Sequence, residues 1–422
     1  MADWTQFPKD LLALIAKKLD SQINTIRFRS VCSAWRSSIS PKSQTLYRFP
    51  ILPNDAFSYS TSGFYLSKRT IYLIRLPNNE SSWLIKVEQI EENGNGFSPV
   101  RVNLLCPLSN FPLVSYLSTR ALDFWDFRVS ELGVEYVLQY INSNPDMFFN
   151  ADVGNLYMEK VALADLNVGI HDYVLLTIHV SGKLVLFRSG DKNWTIIGDL
   201  RSPYDDVLLY DGKFYAVDST GRTVLVHIDE KLDVVAESLF GGDKKCLVEL
   251  NGELMLIDMY MNMSNEDDLN NEGNDLTAMM IYFVLERTVK FKVYKLDWEL
   301  HKWIEVKSLG DKVLFWADNC VFSALASDLP GCKGSCIYFT DNFYPHKIDT
   351  ASWMDNNIGV YSLEDDKVLR FDDDPSCSKM FRPPDWVTSR VQNVSNLCLL
   401  LLVLNFPSFH SIRTQFVYFD SF

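Results

Sequence analysis

"VLLYDGKFYAVDSTGRTVLVHIDEKLDVVAES", residues 207–238, decides the fold. Four short apolar segments are separated by turn sequences at Asp211-Gly212, Ser219-Thr220-Gly221 and Asp229-Glu230-Lys231. Asp-Gly supplies the positive φ angles that a tight hairpin requires, so the stretch reads as four strands joined by three reversals. The same design recurs on both sides. "SGKLVLFRSGDKNWTII" (181–197) is a hairpin across Ser189-Gly190-Asp191, and "CLVELNGELMLIDMY" (246–260) is strand, Asn-Gly, strand. "VKFKVYKLDWELHKWIEV" (289–306) and "IGVYSLEDDKVLRF" (358–371) are further hairpins, and "KVLFWADN" (312–319) and "SCIYFTDN" (335–342) are apolar strands ending in Asp-Asn.

A turn glycine followed by an apolar strand recurs at Gly182, Gly212, Gly252 and Gly334, in steps of 30, 40 and 82 residues. A period near 40 with four strands per unit is the signature of a propeller blade. At about 45 residues per blade, positions 50–390 hold about six to eight blades. A large β-sandwich, or two smaller β domains, is the alternative architecture for the same strands. Two stretches break the pattern. "NMSNEDDLNNEGNDL" (262–276) has five Asn and five acidic residues and reads as a solvated insertion. Residues 390–422, with "LCLLLLVL" (397–404), read as an atypical hydrophobic tail, in which 391–422 carry only Arg413 and Asp420 as Lys, Arg, Asp or Glu charges.

The chain has 422 residues and a net charge of −14, unevenly spread. Residues 1–45 hold seven Lys/Arg against Asp3, Asp10 and Asp20, a balance of +4 that leaves −18 for the rest. So acidic a chain is not built for nucleic acid, whose phosphates need clustered cations. The longest apolar run, Leu397–Leu404, is too short for a membrane span. Met1–Asp10 lacks the basic start and apolar centre of a signal peptide. The eight cysteines, mostly isolated in apolar segments, read as free thiols in a reducing compartment. Nucleus or cytoplasm is the expected location, and the Asn-x-Ser/Thr matches at Asn79, Asn193, Asn262 and Asn393 are then accidental.

The period changes before residue 45. In "FPKDLLALIAKKLD" (7–20), Pro8 suits a first helical turn, and Leu11, Leu12, Ile15 and Leu19 form an apolar stripe of helical spacing that Leu14 widens. A second helix follows Asp20-Ser21, with Ile23 and Ile26 inward, and a third holds Val31, Trp35 and Ile39. Three helices in so few residues bury little, and such a module leaves an apolar face for a partner.

"FPKDLLALIAKKLDSQINTIRFRSVCSAWRSSI" (7–39) resembles an F-box. Pro8, Leu11, Leu12, Ile15, Leu19, Arg27, Val31, Cys32, Trp35 and Arg36 fall at the family's spacings, while Phe7 replaces its usual Leu and Asp20 a common Pro. The resemblance implies docking on a Skp-type adaptor and, through it, a cullin. The implied adaptor-binding residues are Phe7, Pro8, Leu11, Leu12, Ile15, Leu19, Val31, Cys32, Trp35 and Arg36, with Leu12, Ile15, Leu19 and Trp35 contributing most of the burial and the arginines forming a basic rim. "GSCIYFTDN" (334–342), "NNIGVYSLEDDKVLRF" (356–371) and "PPDWV" (383–387), in that order after an F-box, resemble a plant group of F-box proteins of the SKIP/KIB type, whose C-terminal domain is kelch-like. The kelch double glycine is missing here.

The expected organisation is therefore an F-box at 1–45, a mainly β, propeller-like substrate-recognition domain at 46–389 and the tail at 390–422. The implied function is the substrate-recognition subunit of an SCF-type (Skp-adaptor, cullin, F-box) ubiquitin ligase, which brings an unidentified target protein to ubiquitination. A ligase-independent F-box scaffold and a propeller enzyme are the alternatives. No catalytic residue is assigned, because the sequence has no Gly-x-x-x-x-Gly-Lys-Ser/Thr, Gly-x-Ser-x-Gly or His-Glu-x-x-His. Cys32 lacks a nearby histidine to serve as its base, the nearest being His171. Cys332 and Cys336 with Cys320 fall one ligand short of a structural zinc, and the acidic pairs near Asp365 and Asp372 lack calcium-loop spacing. No metal and no cofactor are expected.

Overall fold

The computed structural model describes residues 7–19, 22–38, 52–53, 63–75, 82–90, 101–110, 113, 128–141, 160–165, 173–198, 201–263, 286–317, 320–340, 358–370 and 379–381. Three helices come first: α1 (Lys9–Lys17), α2 (Gln22–Ser30) and α3 (Ser33–Ser38). Strands follow. The first group is β1 (Leu52–Pro53), β2 (Gly63–Arg75), β3 (Ser82–Ile90), β4 (Arg101–Leu105) and β5 (Arg128–Ile141), ordered β4-β3-β2-β5 with β1 beside β2. The second is β6 (Lys160–Asp165), β7 (Tyr173–Ile178), β8 (Leu184–Arg188) and β9 (Thr195–Ile196), in sequence order. The third is the stretch around Asp211-Gly212: β10 (Tyr204–Tyr210), β11 (Lys213–Asp218), β12 (Thr223–Val226) and β13 (Leu232–Ala236). The fourth is β14 (Lys244–Leu250), β15 (Glu253–Met263), β16 (Glu286–Asp297) and β17 (Lys302–Val306). The fifth contains β18 (Lys312–Trp316), β19 (Val321–Leu325), β20 (Cys336–Thr340), β21 (Ile358–Ser362) and β22 (Lys367–Arg370), ordered β19-β18-β20-β21-β22.

The turns explain the local pairing. Asp211 and Gly212 have φ of 48° and 70°, and Asn251 and Gly252 of 56° and 77°, the paired positive angles of two-residue hairpins whose twist matches the strands. Burial explains the rest. The buried apolar residues fall into five clusters, each between two neighbouring strand groups: first with second, second with third, third with fourth, fourth with fifth, and fifth with first. Alternate residues of one strand serve opposite clusters. Tyr173 and Leu175 of β7 face the first group, while Val174, Leu176 and Ile178 face the third. This is why every residue of β7 is buried: both faces of the sheet are covered. The strands β5, β6, β10, β14 and β19 contact one another in cyclic order and line the axis. The result is a closed ring of sheets, a β-propeller.

The described residues form five such units, fewer than the six to eight expected from about 45 residues per blade. The units are longer than that estimate: β2 and β5 run to 13 and 14 residues, and β15 and β16 to 11 and 12. The fifth unit also departs from a simple meander. β18 and β20 are parallel, because the chain first turns back as β19 to line the axis and then returns to the far side of β18. The ring closes where β19 meets β5, where Arg75 of β2 pairs with Asp328, and where Met380 and Phe381 pack into the cluster between the fifth and first units. The solvated insertion expected at 262–276 begins inside β15, which reaches Met263, and its remainder and the tail at 390–422 lie outside the described residues. No helix among the described residues is long and apolar enough to cross a membrane.

One buried ion pair depends on a glycine. Lys245 Nζ lies 3.0 Å from Asp258 Oδ1, both side chains fully buried, and Gly242 (φ +55°) packs so closely that a Cβ would sit 1.9 Å from that oxygen. Gly212 has a similar φ of +70° with open space around it. Gly212→Ala is expected to cost about 1 kcal/mol, the price of a left-handed residue alone. Gly242→Ala displaces the carboxylate as well and is expected to cost about 3 kcal/mol or more, as for a broken buried pair. Urea denaturation of the two variants measures the difference.

Candidate functional site

The helical module divides the predicted stripe into two sides. Pro8 precedes α1 and is exposed. Leu12 is 0 % exposed and, with buried Phe28, forms the interior of the module, where Trp35 sits 4.5 Å from the Phe28 ring. Leu11, Ile15 and Val31 lie on the outside, together with Leu14, the most exposed of them at 57 %. Phe7, Leu19, Cys32 and Trp35 are half-buried, and Arg36 is exposed. Among the residues expected to dominate adaptor burial, Ile15 is therefore on the surface, Leu19 and Trp35 are partly so, and Leu12 is inside, holding the helices together. Val31 lies in the break between α2 and α3, where the sequence reading had placed it within the third helix.

The arginines do not form one rim. Arg27 Nη2 donates to the Val129 carbonyl of β5 at 2.6 Å and ties α2 to the first propeller unit. Arg29 and Arg36 exchange side-chain to carbonyl hydrogen bonds, each 3.2 Å, bracing α2 against α3. Sequence reasoning missed Phe28 as a core residue. Its place seven positions before Trp35 in "RFRSVCSAWR" is the signal that could have found it.

A second cluster lines the axis. Lys86 Nζ, fully buried, lies 2.9 Å from Glu135 Oε1, donates to Asn110 Oδ1 at 2.6 Å and stands 3.9 Å from the Cys320 sulfur. Arg69 joins the group through Glu88 at 2.7 Å and Glu135 at 3.6 Å. Further round, Lys160 Nζ lies 2.6 Å from Asp206 Oδ1, and the Cys246 thiol donates to Asp206 Oδ2 at 2.9 Å. Between them is a cavity of about 20 Å³, room for about one water, lined in part by Asp205, Lys160, Cys246 and Cys320.

Burial works against the Lys86 and Lys160 ammonium groups, but the carboxylates beside them outweigh it, Glu135 for Lys86 and Asp206 for Lys160, and both pKa values lie above the ordinary lysine value. Burial, reinforced by Glu135 and Asp206 respectively, pushes the Cys320 and Cys246 thiols up. At neutral pH the amines are therefore protonated and the thiols are not thiolates, so neither is a nucleophile. Asp205 is pushed up to about 6 by burial. Cys332 lies against Met380, its sulfur 4.0 Å from the Met380 sulfur, and packs with Cys320 against the apolar cluster of the fifth and first units. Among the described residues no three His, Cys, Asp or Glu side chains come together as a metal site. The Lys160–Asp206 pair clasps the second unit to the third, while the Lys86, Glu135, Arg69 and Glu88 charges pair within the first unit. Their sequence signal is absent: Lys86, Glu135 and Cys320 are far apart in the chain.

Glu135→Leu leaves Lys86 buried without its closest carboxylate and is expected to cost about 3–5 kcal/mol, whereas Lys86→Met with Glu135→Leu recovers most of that loss. Arg69 retains Glu88 in both variants. Burial alone would raise the Glu135 pKa, but Lys86 outweighs it and the folded value is depressed. The stability Glu135 contributes is thus present above the unfolded value of about 4.3 and is lost as pH falls through that value toward the folded one. Urea midpoints of the wild-type protein and the Lys86→Met/Glu135→Leu variant should converge on acidification below about pH 5.

Comparison with known proteins gives this geometry a lineage. The KIB1-4 beta-propeller family matches residues 63–362, from β2 of the first unit to β21 of the fifth. F-box protein SKIP23 of Arabidopsis thaliana is 42 % identical over 413 residues, covering 93 % of this chain and 97 % of the relative. A second Arabidopsis thaliana F-box protein is 35 % identical over 415 residues, covering 94 % and 97 %, and a third is 27 % identical over 408 residues, covering 90 % and 98 %. Among solved structures, a protein of unknown function from Bacteroides thetaiotaomicron is similar over 72 % of this chain and 75 % of its own, at 10 % identity and a TM-score of 0.25, too low to carry an inference. With three N-terminal helices of F-box pattern ahead of a matched propeller, the chain belongs to the family of plant F-box proteins that carry a KIB1-4 beta-propeller.

Proposed function

We propose that this protein is the non-catalytic substrate-recognition subunit of an SCF-type ubiquitin ligase. Its helical module docks a Skp-type adaptor, a cullin joins through that adaptor, and the propeller holds a target protein for ubiquitination. The observation that carries this reading is the division of the apolar stripe on the helices. Leu12 and Phe28 complete the interior of the module, yet Leu11, Leu14, Ile15 and Val31 remain on its surface beside Pro8. So small a module has no folding reason to expose four large apolar side chains, and a protein partner supplies one. Burying each is worth about 1.5–3 kcal/mol in a dry interface. The rigid ring gives the target a surface held at a fixed place relative to the docked adaptor, since Arg27 anchors α2 on β5. Nucleus or cytoplasm is the location this role requires.

Ile15→Asp places a charge on the exposed stripe. It should abolish capture of a purified Skp-type adaptor while leaving the melting temperature within a few degrees, because Ile15 is on the surface. Leu12→Ala should instead loosen the module itself and lower adaptor capture together with α-helical signal. Undiminished capture by the Ile15→Asp variant overturns the docking reading. Ubiquitin transfer in a reconstituted assembly with cullin separates a ligase subunit from a scaffold that binds the adaptor alone.

A further inference from the structure

The hairpin turns of the third and fourth units meet in an aromatic platform. Tyr210, at the end of β10, stacks on Trp298 of the β16–β17 turn, with ring centroids 6.3 Å apart and planes 12° from parallel. Tyr215 of β11 stands edge-on to both, at 5.8 Å from Tyr210 and 6.1 Å from Trp298. The turn carrying Trp298 is fixed, since Asp297 Oδ1 accepts from the Glu299 and Leu300 backbone N–H groups at 3.0 and 2.9 Å. The Tyr210 hydroxyl donates to the Gly252 carbonyl at 2.8 Å, which locks the neighbouring β14–β15 turn to the platform. Trp298 is nonetheless 45 % exposed and Leu300 60 %.

The charge around this platform has one prevailing sign. The ionised groups that bear on the Tyr210 hydroxyl, and with burial raise its pKa, are Glu249, Asp211 and Glu253. Asp297 and Glu299 share the turn with Trp298. Of the cations on these turns, Lys295 is paired with Glu253, leaving Lys213 and Lys302 against the four carboxylates of Asp211, Glu249, Asp297 and Glu299. A rigid, half-exposed tryptophan within an acidic rim is the surface on which a guanidinium finds both a ring face and a carboxylate. Trp and Tyr in such fixed positions are also the residues that carry most of the energy in protein interfaces.

We propose that this seam between the third and fourth units is a docking site for a basic segment of a protein partner, with an arginine stacked on Trp298 and its charge met by Glu249 and Asp211. The proposal rests on the substrate-receptor reading, of which it names the surface and the chemistry recognised.

The test uses the full chain and a fluorescein-labelled peptide of alternating Arg and Gly, with Glu-Gly and Lys-Gly peptides of equal length as comparisons, read by fluorescence anisotropy. The Arg peptide should bind, the Lys peptide more weakly and the Glu peptide not at all. Trp298→Ala should raise Kd about tenfold, corresponding to about 1.4 kcal/mol, with Trp298→Phe in between. Asp211→Asn with Glu249→Gln should weaken binding and flatten its salt dependence. Asp211 occupies a left-handed position that Asn also adopts, so this pair should preserve the fold. Glu237→Gln with Glu305→Gln removes the same charge elsewhere on these units and should leave Kd unchanged. Absence of Arg-peptide binding, or equal loss in the control pair, overturns the proposal. Adaptor capture measured on the same preparations shows whether the receptor reading fails with it or stands without it.

Discussion

The strand β5 is the joint on which the molecule depends. Its edge pairs with β2 along the whole of that strand, its opposite edge meets β6 at Tyr136↔Val161 and Val137↔Lys160, and β19 of the last unit lies against it. A ring of sheets is stable only when its first and last members meet, because each exposed sheet face or edge otherwise needs another cover. Here the meeting is built from an apolar cluster shared by the first and fifth units, with Trp83, Phe315 and Phe381 at its centre, and from the buried charges of Lys86 and Glu135 beside Cys320. The same strand receives Arg27 from α2. Closure of the propeller and placement of the helical module are thus consequences of one element.

The axial charges and the apolar clusters do different work. The clusters supply the burial that drives association of the units, since alternate residues of one strand reach opposite neighbours. A buried ion pair adds little net stability but is costly to break, so it selects one arrangement of the units over slipped ones. Lys86 and Glu135 pair within the first unit, and ring closure brings Cys320, next to β19 of the fifth unit, to 3.9 Å from Lys86, while Lys160 and Asp206 join the second unit to the third. With protonated amines and undissociated thiols, this interior is suited to holding the ring and not to nucleophilic chemistry.

Much of this was legible in the sequence where the determinants are local. The hairpins at Asp211-Gly212 and Asn251-Gly252 follow from residues that accept positive φ, and the structure places its strands there. Helical spacing indicates three helices before residue 45, as observed, although the third begins after Val31 and not with it. What escaped is what depends on distant neighbours. Leu12 and Ile15 are both apolar at helical spacing, and only Phe28 and Trp35 decide that one is inside and the other outside. The parallel pairing of β18 with β20 has no turn to announce it, and unit length could not be read from glycine spacing when β2, β5, β15 and β16 are so long. The platform of Tyr210 and Trp298 joins residues from two units.

The central claim is that the exposed stripe of the helices, and not the ring, meets the adaptor. Hydrogen–deuterium exchange of the full chain with and without a purified Skp-type adaptor tests it most directly. Protection confined to residues 9–17 and 31–36, with amides of the five propeller units unchanged, is the expected result. Protection spread over the propeller, or none on the helices while the complex is intact, would contradict it.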